Sequence, residues 1–200
     1  MTQKIRFYFD FSSPYGYLAT VRIDELARRH GRVVDWRPHL LGVAMKATGQ
    51  SPLLNQPLRG AYAKRDLARM AQDFGVALVQ PEVFPIHSVA ASRAFYALKD
   101  DVEEQAVRLA RQLFHAYWGE GRDISRPGDI AREADAIGMN GAVLIERMAL
   151  LETRQRLRDE VDDAMQRGIF GSPMFDLDGE LFWGCDKFDQ MDRWLSAGGW

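Results

Sequence analysis

The chain of 200 residues is 46% hydrophobic and 27% charged, sufficient for one full core or for a domain carrying a large insertion. Its net charge of −2, with acids and bases interspersed, excludes the basic patch or stripe that captures nucleic acid, and no apolar run approaches a membrane span. A single cysteine, Cys185, excludes both an internal disulfide and a dithiol redox cycle within the chain.

Met1-Thr2-Gln3-Lys4 leads straight into a strand over residues 4–9, which leaves no room for a signal peptide and makes the cytoplasm the expected compartment. Residues 13–30 carry apolar side chains at helical spacing (Tyr17, Leu18, Val21, Leu26), and Gly31 fits the stop. The arginines at 22, 28, 29 and 32 read as a solvated face. Residues 32–38 alternate around Val33, Val34 and Trp36 as a second strand. The opening is therefore β-α-β, the start of a parallel sheet. Strand signals then cease. Residues 42–57 read as irregular, broken by Gly49, Pro52 and Pro57. Tyr62, Leu67, Met70, Ala71 and Phe74 give a helix closed by Gly75. Helices are expected around 89–98 and over 102–118, then a loop over 118–123, then helices over 129–137, 142–151 and 153–166. Strand character returns over 169–177. Asp178-Gly179 is a tight hairpin signal, followed by a strand over 180–183. A closing helix over 186–195 has Asp186 as its expected N-cap. The block 41–165 reads as inserted between the halves 1–40 and 166–200 of one α/β unit. The histidines at 30, 39, 87 and 115 are scattered, so no metal site is expected. His87 and His115 read as structural or surface groups.

The chemistry concentrates in Phe7-Tyr8-Phe9-Asp10-Phe11-Ser12-Ser13-Pro14-Tyr15-Gly16-Tyr17-Leu18. Ser13 is a preferred N-cap type and Pro14 suits the first helical position, where no N–H is needed. A strand feeding directly into such a helix collects unpaired amides, the positive end of the dipole and one hydroxyl in one place. Anions, thiolates included, are stabilised there. Tyr15, on the same first turn, is the neighbouring candidate for contact with a substrate.

That order, with Gly171-Ser172-Pro173 before the third strand, resembles the thioredoxin fold with a large all-helical insertion, as in the DsbA-like group. Four motifs narrow the resemblance: the Ser13 stretch, Trp118-Gly119-Glu120-Gly121, Phe170-Gly171-Ser172-Pro173 and Trp183-Gly184-Cys185-Asp186-Lys187. Together, and over essentially the whole chain, they are similar to 2-hydroxychromene-2-carboxylate isomerases and their kappa-class glutathione transferase relatives. The resemblance implies a homodimeric enzyme using glutathione, with Ser13 as the catalytic serine where oxidoreductase relatives have a reactive cysteine. It puts Gly16 at the second cysteine position and Pro173 at the family's cis-proline. Ser172 would pair with the cysteinyl backbone of glutathione, and Cys185 and Asp186 would meet the γ-glutamyl end. Arg59 and Gln50 fall near the family's Lys and Asn at the tripeptide. Trp118 and Trp183 would wall the substrate pocket with Tyr15. Cys185 and Lys187 depart from the family's Asn or Ser and Arg; Cys185 also reads as a small packing residue and Asp186 as a helix cap.

The implied reaction is reversible addition of the glutathione thiolate to an unsaturated, aromatic-derived acid. A free thiol near pKa 8.5 needs about 2.7 kcal/mol of preferential thiolate stabilisation to reach about 6.5. One hydrogen bond from Ser13 to a charged acceptor gives about 1.5–3 kcal/mol and the helix terminus about 0.3–2, so no general-base histidine is required. A kappa-like transferase or peroxidase, or a non-catalytic binding module on the same fold, are the alternatives.

Overall fold

The computed structural model describes residues 3–200; Met1 and Thr2 of the N-terminal stretch read above lie outside the described residues. The elements run β1 (Lys4–Phe9), α1 (Pro14–Arg29), β2 (Val33–Pro38), α2 (Leu41–Thr48), α3 (Arg59–Phe74), α4 (Val89–Lys99), α5 (Glu103–Phe114), α6 (Pro127–Ala136), α7 (Gly141–Ala149), α8 (Leu151–Gln166), β3 (Met174–Leu177), β4 (Glu180–Trp183) and α9 (Phe188–Ala197). The described strands form one sheet in the order β2-β1-β3-β4. β2 runs parallel to β1, while β3 and β4 are antiparallel to their neighbours. This is the thioredoxin-like arrangement with helices between β2 and β3, as the sequence order implied.

The alternation within β1 decides which layer lies on which face. Ile5, Phe7 and Phe9 are fully buried among α1, α4, α5 and α9, whereas Tyr8 turns to the other face with Met174, Ala164 and Ile169. Phe7 stacks on Phe175 across the β1–β3 pair at 5.4 Å and meets Trp36 edge-on at 5.0 Å. Phe9 contacts Phe11 and Phe114, tying the sheet to α5 at 5.3 and 5.4 Å. Each such ring contributes about 1.5–3 kcal/mol of burial, with about 0.5–1.5 more for a well-placed aromatic pair. On the other side the cover is partly ionic: Arg6 pairs with Asp176 at 2.9 Å, and Arg37 joins Asp35 to Glu160 of α8 at 2.8 and 3.0 Å.

Four local expectations are corrected. The segment read as irregular contains α2, which lacks a capping side chain at Leu40; its Leu41 amide is capped instead by the carboxylate of Asp10 at 2.7 Å. Trp118 and Gly119 do not belong to a loop. They close a π-helical turn over His115–Gly119 that continues α5 and turns Trp118 into the core. β3 begins at Met174, because residues 169–173 are given over to the turn at the proline. Asp186 does not cap α9. It lies in a 3-10 turn over Cys185–Lys187, with Lys187 at the cap position and no side-chain cap bond.

Candidate active site

The site starts where β1 ends. Asp10 is 1% exposed, and one carboxylate oxygen accepts the amide and the hydroxyl of Ser12, each at 2.7 Å. Its other oxygen accepts Leu41 N–H at 2.7 Å and the Ser88 hydroxyl at 2.8 Å. One buried carboxylate thus fastens the heads of α1 and α2 to the loop before α4, and charge-assisted bonds of this kind are the strong ones. The Asp10 amide in turn donates to Ser172 Oγ at 2.9 Å, so the same residue holds the proline loop.

That loop carries a cis Ser172–Pro173 bond and faces the N-terminus of α1. Ser13 caps the helix as its residue type and the following proline imply: its Oγ accepts Gly16 N–H at 3.0 Å. The hydroxyl proton is donated to the Ser172 carbonyl at 2.8 Å. Glycine is required at position 16, where a Cβ would come within 2.9 Å of Ser172 Oγ. Behind the loop, the His39 Nε2–H donates to the Gly171 carbonyl at 2.9 Å. Burial holds that imidazole below its ordinary pKa, so it serves as a neutral donor with a fixed tautomer.

In front of Ser13 opens a cavity of about 790 Å³. Ser13 and Tyr15 from α1, Gln50 and Arg59, Ser172 and Pro173, and Trp183, Cys185 and Asp186 all line it. Trp118 does not. It is 1% exposed and its indole N–H donates to the Phe11 carbonyl at 3.0 Å, so it is a core residue behind the site and not a pocket wall. The facing wall is apolar, built by Leu41, Met45, Leu53, Met70, Phe84 and Ile86.

The individual groups are tuned differently. The Cys185 thiol is 2% exposed and 4.0 Å from Met70 Sδ; burial, reinforced by the charge of Asp186, pushes it up to about 12. It packs, and it is not a nucleophile at neutral pH. Asp186 is exposed and paired with Lys187 Nζ at 2.6 Å. Its carboxylate lies over Gly184, whose φ of +107° and lack of a Cβ leave room for that approach. The Tyr15 hydroxyl donates to Asp66 at 3.2 Å, and burial followed by that carboxylate raises its pKa well above that of an ordinary phenol. Tyr15 therefore remains protonated. Asp66 also lines the cavity and was missed by sequence reasoning, and His87, read as a structural or surface group, is exposed at the cavity's edge. Asp66 is 51 residues from Tyr15 and shows no local signature.

A thioredoxin-like sheet whose first helix is headed by a serine set against a cis-proline loop defines a DsbA-like protein without the redox cysteines. Residues 4–196 match the family model described as a DSBA-like thioredoxin domain, and the chain belongs to that family. It is similar to the 2-hydroxychromene-2-carboxylate isomerase of Sphingobium xenophagum, 34% identical, covering 98% of this chain and 99% of that one. It is also similar to glutathione S-transferase kappa 1 of Caenorhabditis elegans, 25% identical over 92% of this chain and 87% of that one. A solved structure of a 2-hydroxychromene-2-carboxylate isomerase superposes with a TM-score of 0.86 at 28% identity, covering 97% of this chain and 95% of that one. The chain is thus an enzyme of the group formed by these isomerases and transferases.

Proposed function

We propose that the protein is a glutathione-dependent isomerase of the 2-hydroxychromene-2-carboxylate type. The observation that carries this reading is the convergence of Ser13, Ser172, Pro173, Gln50, Arg59 and Asp186 on one cavity, with Ser13 Oγ 2.8 Å from the Ser172 carbonyl at the head of α1. The donor set suits a zwitterionic tripeptide. Arg59 and Lys187 are cations for its carboxylates, and Asp186 is an acceptor for its ammonium. When bound, the tripeptide supplies the thiolate that adds reversibly to the unsaturated acid.

The chain's own residues do the remainder. Ser13 donates to the sulfur and, with the N-terminus of α1, keeps it ionised. Ser172 and the proline loop orient the cysteinyl portion. Tyr15 and Trp183 flank the acceptor, and the apolar wall from residues 41–165, read as the inserted helical part, excludes water around an aromatic ring. Cys185 contributes shape. The test is a pair of assays on one preparation: glutathione-dependent opening of a hydroxychromene carboxylate, and conjugation of a small electrophile. Isomerisation without appreciable conjugation supports the proposal. Absence of glutathione binding by calorimetry at millimolar concentration would refute it. Similarity to the kappa transferase favours the second reading, a transferase on the same site, which conjugation without isomerisation would establish.

A further inference from the structure

A hydroxychromene carboxylate carries its hydroxyl, its carboxylate and the ring oxygen on one carbon, so it is a closed hemiketal. No bond of that ring can rotate until it opens, and opening requires the hemiketal hydroxyl to give up its proton. Ser13 acts in this site as a donor, so the base has to come from elsewhere. Tyr15 and Asp66 both line the cavity. The Tyr15 ring is half-buried against the core, which fixes its direction, and its hydroxyl donates to Asp66 Oδ2 at 3.2 Å. A hydroxyl whose proton is committed keeps acceptor lone pairs. The Tyr15 oxygen is therefore an acceptor for an O–H entering the cavity. The carboxylate behind it is held in turn, since Asp66 Oδ1 accepts Arg69 Nη2 at 2.9 Å and Oδ2 is left to the phenol. The Asp66 side chain is 27% exposed, so a proton delivered there reaches water. Burial and the Asp66 charge both oppose a tyrosinate, so the phenol passes a proton on and does not store one as a base. Of the other bases around the cavity, Asp186 is paired with Lys187 at 2.6 Å. His87 is exposed and, among the described residues, hydrogen-bonds to neither Tyr15 nor Asp66.

We propose that Tyr15 and Asp66 form a proton relay that opens the ring of the substrate. The hemiketal hydroxyl donates to Tyr15 Oη. As its proton passes to that oxygen, the Tyr15 proton passes to Asp66 Oδ2. The electron pair of the substrate O–H bond becomes the second bond of a new carbonyl. The ring C–O bond breaks, and its pair stays on the aryl oxygen as a phenolate, which takes a proton from water. Asp66 returns its proton to solvent, so the relay is restored and no proton is gained or lost overall. Tyr15 is then a catalytic residue, and Asp66 is a positioning residue that works through it. The substrate class this selects is a cyclic hemiketal of an aryl 2-oxo acid. An open-chain unsaturated acid needs only the sulfur and gains nothing from the relay.

The inference rests on the proposed isomerase reading, and a paired-substrate assay separates the two. The wild-type protein, Tyr15→Phe and Asp66→Asn each receive a hydroxychromene carboxylate and, separately, cis-benzylidenepyruvate, which lacks the ortho oxygen and cannot cyclise. Both are measured at saturating glutathione, with the spontaneous rate subtracted. The quantity read is the ratio of kcat/KM for the cyclic compound to that for the open-chain one. Tyr15→Phe should lower this ratio on the order of 100-fold, the ordinary worth of a positioned proton acceptor. Asp66→Asn should lower it by about tenfold or more, because the amide oxygen still accepts the phenol but cannot take up a proton. A structural role would depress both substrates together and leave the ratio unchanged, which would overturn the relay while leaving the proposed function intact. So would a ratio lowered in Asp66→Asn alone, with the carboxylate taking the proton directly, or one lowered in His87→Gln and not in Tyr15→Phe. If the wild-type protein with glutathione converts neither compound, the proposed function fails, and the relay with it.

Discussion

Replacing Ser13 by alanine removes one hydroxyl that accepts one bond and donates one, to the Ser172 carbonyl in the free protein and to sulfur in the proposed complex. In the free protein Gly16 N–H and the Ser172 carbonyl lose their partner; in the complex Gly16 N–H and the sulfur lose theirs. The charge-assisted bond is the term that matters for rate. Its loss, about 2 kcal/mol, raises the bound thiol by about 1.5 units, from about 6.5 to about 8. The sign follows from charge, since a group whose anion is stabilised has a depressed pKa and regains its ordinary value when the stabiliser is removed. At pH 7 the thiolate fraction then falls from about three quarters to about one tenth, a roughly eightfold loss of rate. At pH 9 both forms are nearly fully ionised and the two rates should agree within about 10%. The measurement is a pH series of initial isomerisation rates for both proteins at saturating glutathione. Loss of the helix cap costs about 1 kcal/mol of stability, so melting temperatures recorded alongside confirm that both remain folded. A mutant-to-wild-type ratio constant across pH 6–9 would refute the role in thiolate stabilisation.

Other residues make equally definite demands. With its thiol pushed up to about 12, Cys185 should react with iodoacetamide at pH 8 on the order of a thousandfold more slowly than a free cysteine, as followed by mass spectrometry; labelling within minutes would overturn its assignment as a packing group. Asp10→Ala deletes the acceptor for Ser12, Leu41 and Ser88 and should cost about 3 kcal/mol, lowering the melting temperature by about 6–12 °C; a shift below about 2 °C would show that the carboxylate does not clamp the three segments. Trp118→Phe should lose the bond to the Phe11 carbonyl and about 1–3 kcal/mol of stability while KM for the acceptor stays within about twofold, whereas a tenfold rise in KM without loss of stability would return Trp118 to the pocket.

What the sequence disclosed was local. The alternation of Ile5, Phe7 and Phe9, the Ser13-Pro14 cap and the Asp178-Gly179 turn are each decided by residues a few positions apart, and the corresponding elements stand where their patterns put them. The positions of Ser172 and Pro173 beside Ser13 were legible only through resemblance to a family, since nothing in a stretch of ten residues announces a partner 159 residues away. α2 was missed for the same reason. Its capping group is Asp10, 31 residues earlier, and although Ala44, Met45, Lys46 and Ala47 are helix formers closed by Gly49, the run is short and its N-terminal capping group lies outside it. Trp118 was misplaced because an aromatic beside glycine fits a pocket rim and a core equally well. The added residue of the π turn rotates it inward, and a Cβ at Gly119 would come within 2.6 Å of the His115 ring and displace it. Asp66 was overlooked because an exposed acid on an amphipathic helix is the ordinary case; only the bond from Tyr15 brings it into the cavity.

The same long-range contacts set what restoring cysteines at positions 13 and 16 would disturb. Ser13→Cys would keep the position but not the donor, since a thiol bonds the Ser172 carbonyl weakly. Gly16→Cys meets a steric limit. A Cβ at position 16 comes within 2.9 Å of Ser172 Oγ, and that hydroxyl is fixed by the Asp10 amide at 2.9 Å. The close approach that seats the Ser13 hydroxyl against the proline loop thus consumes the space a second sulfur would need. A second sulfur at position 16 would therefore have to displace the Ser172 hydroxyl from the Asp10 amide, and a Ser13→Cys/Gly16→Cys variant would have to repack the proline loop to hold it.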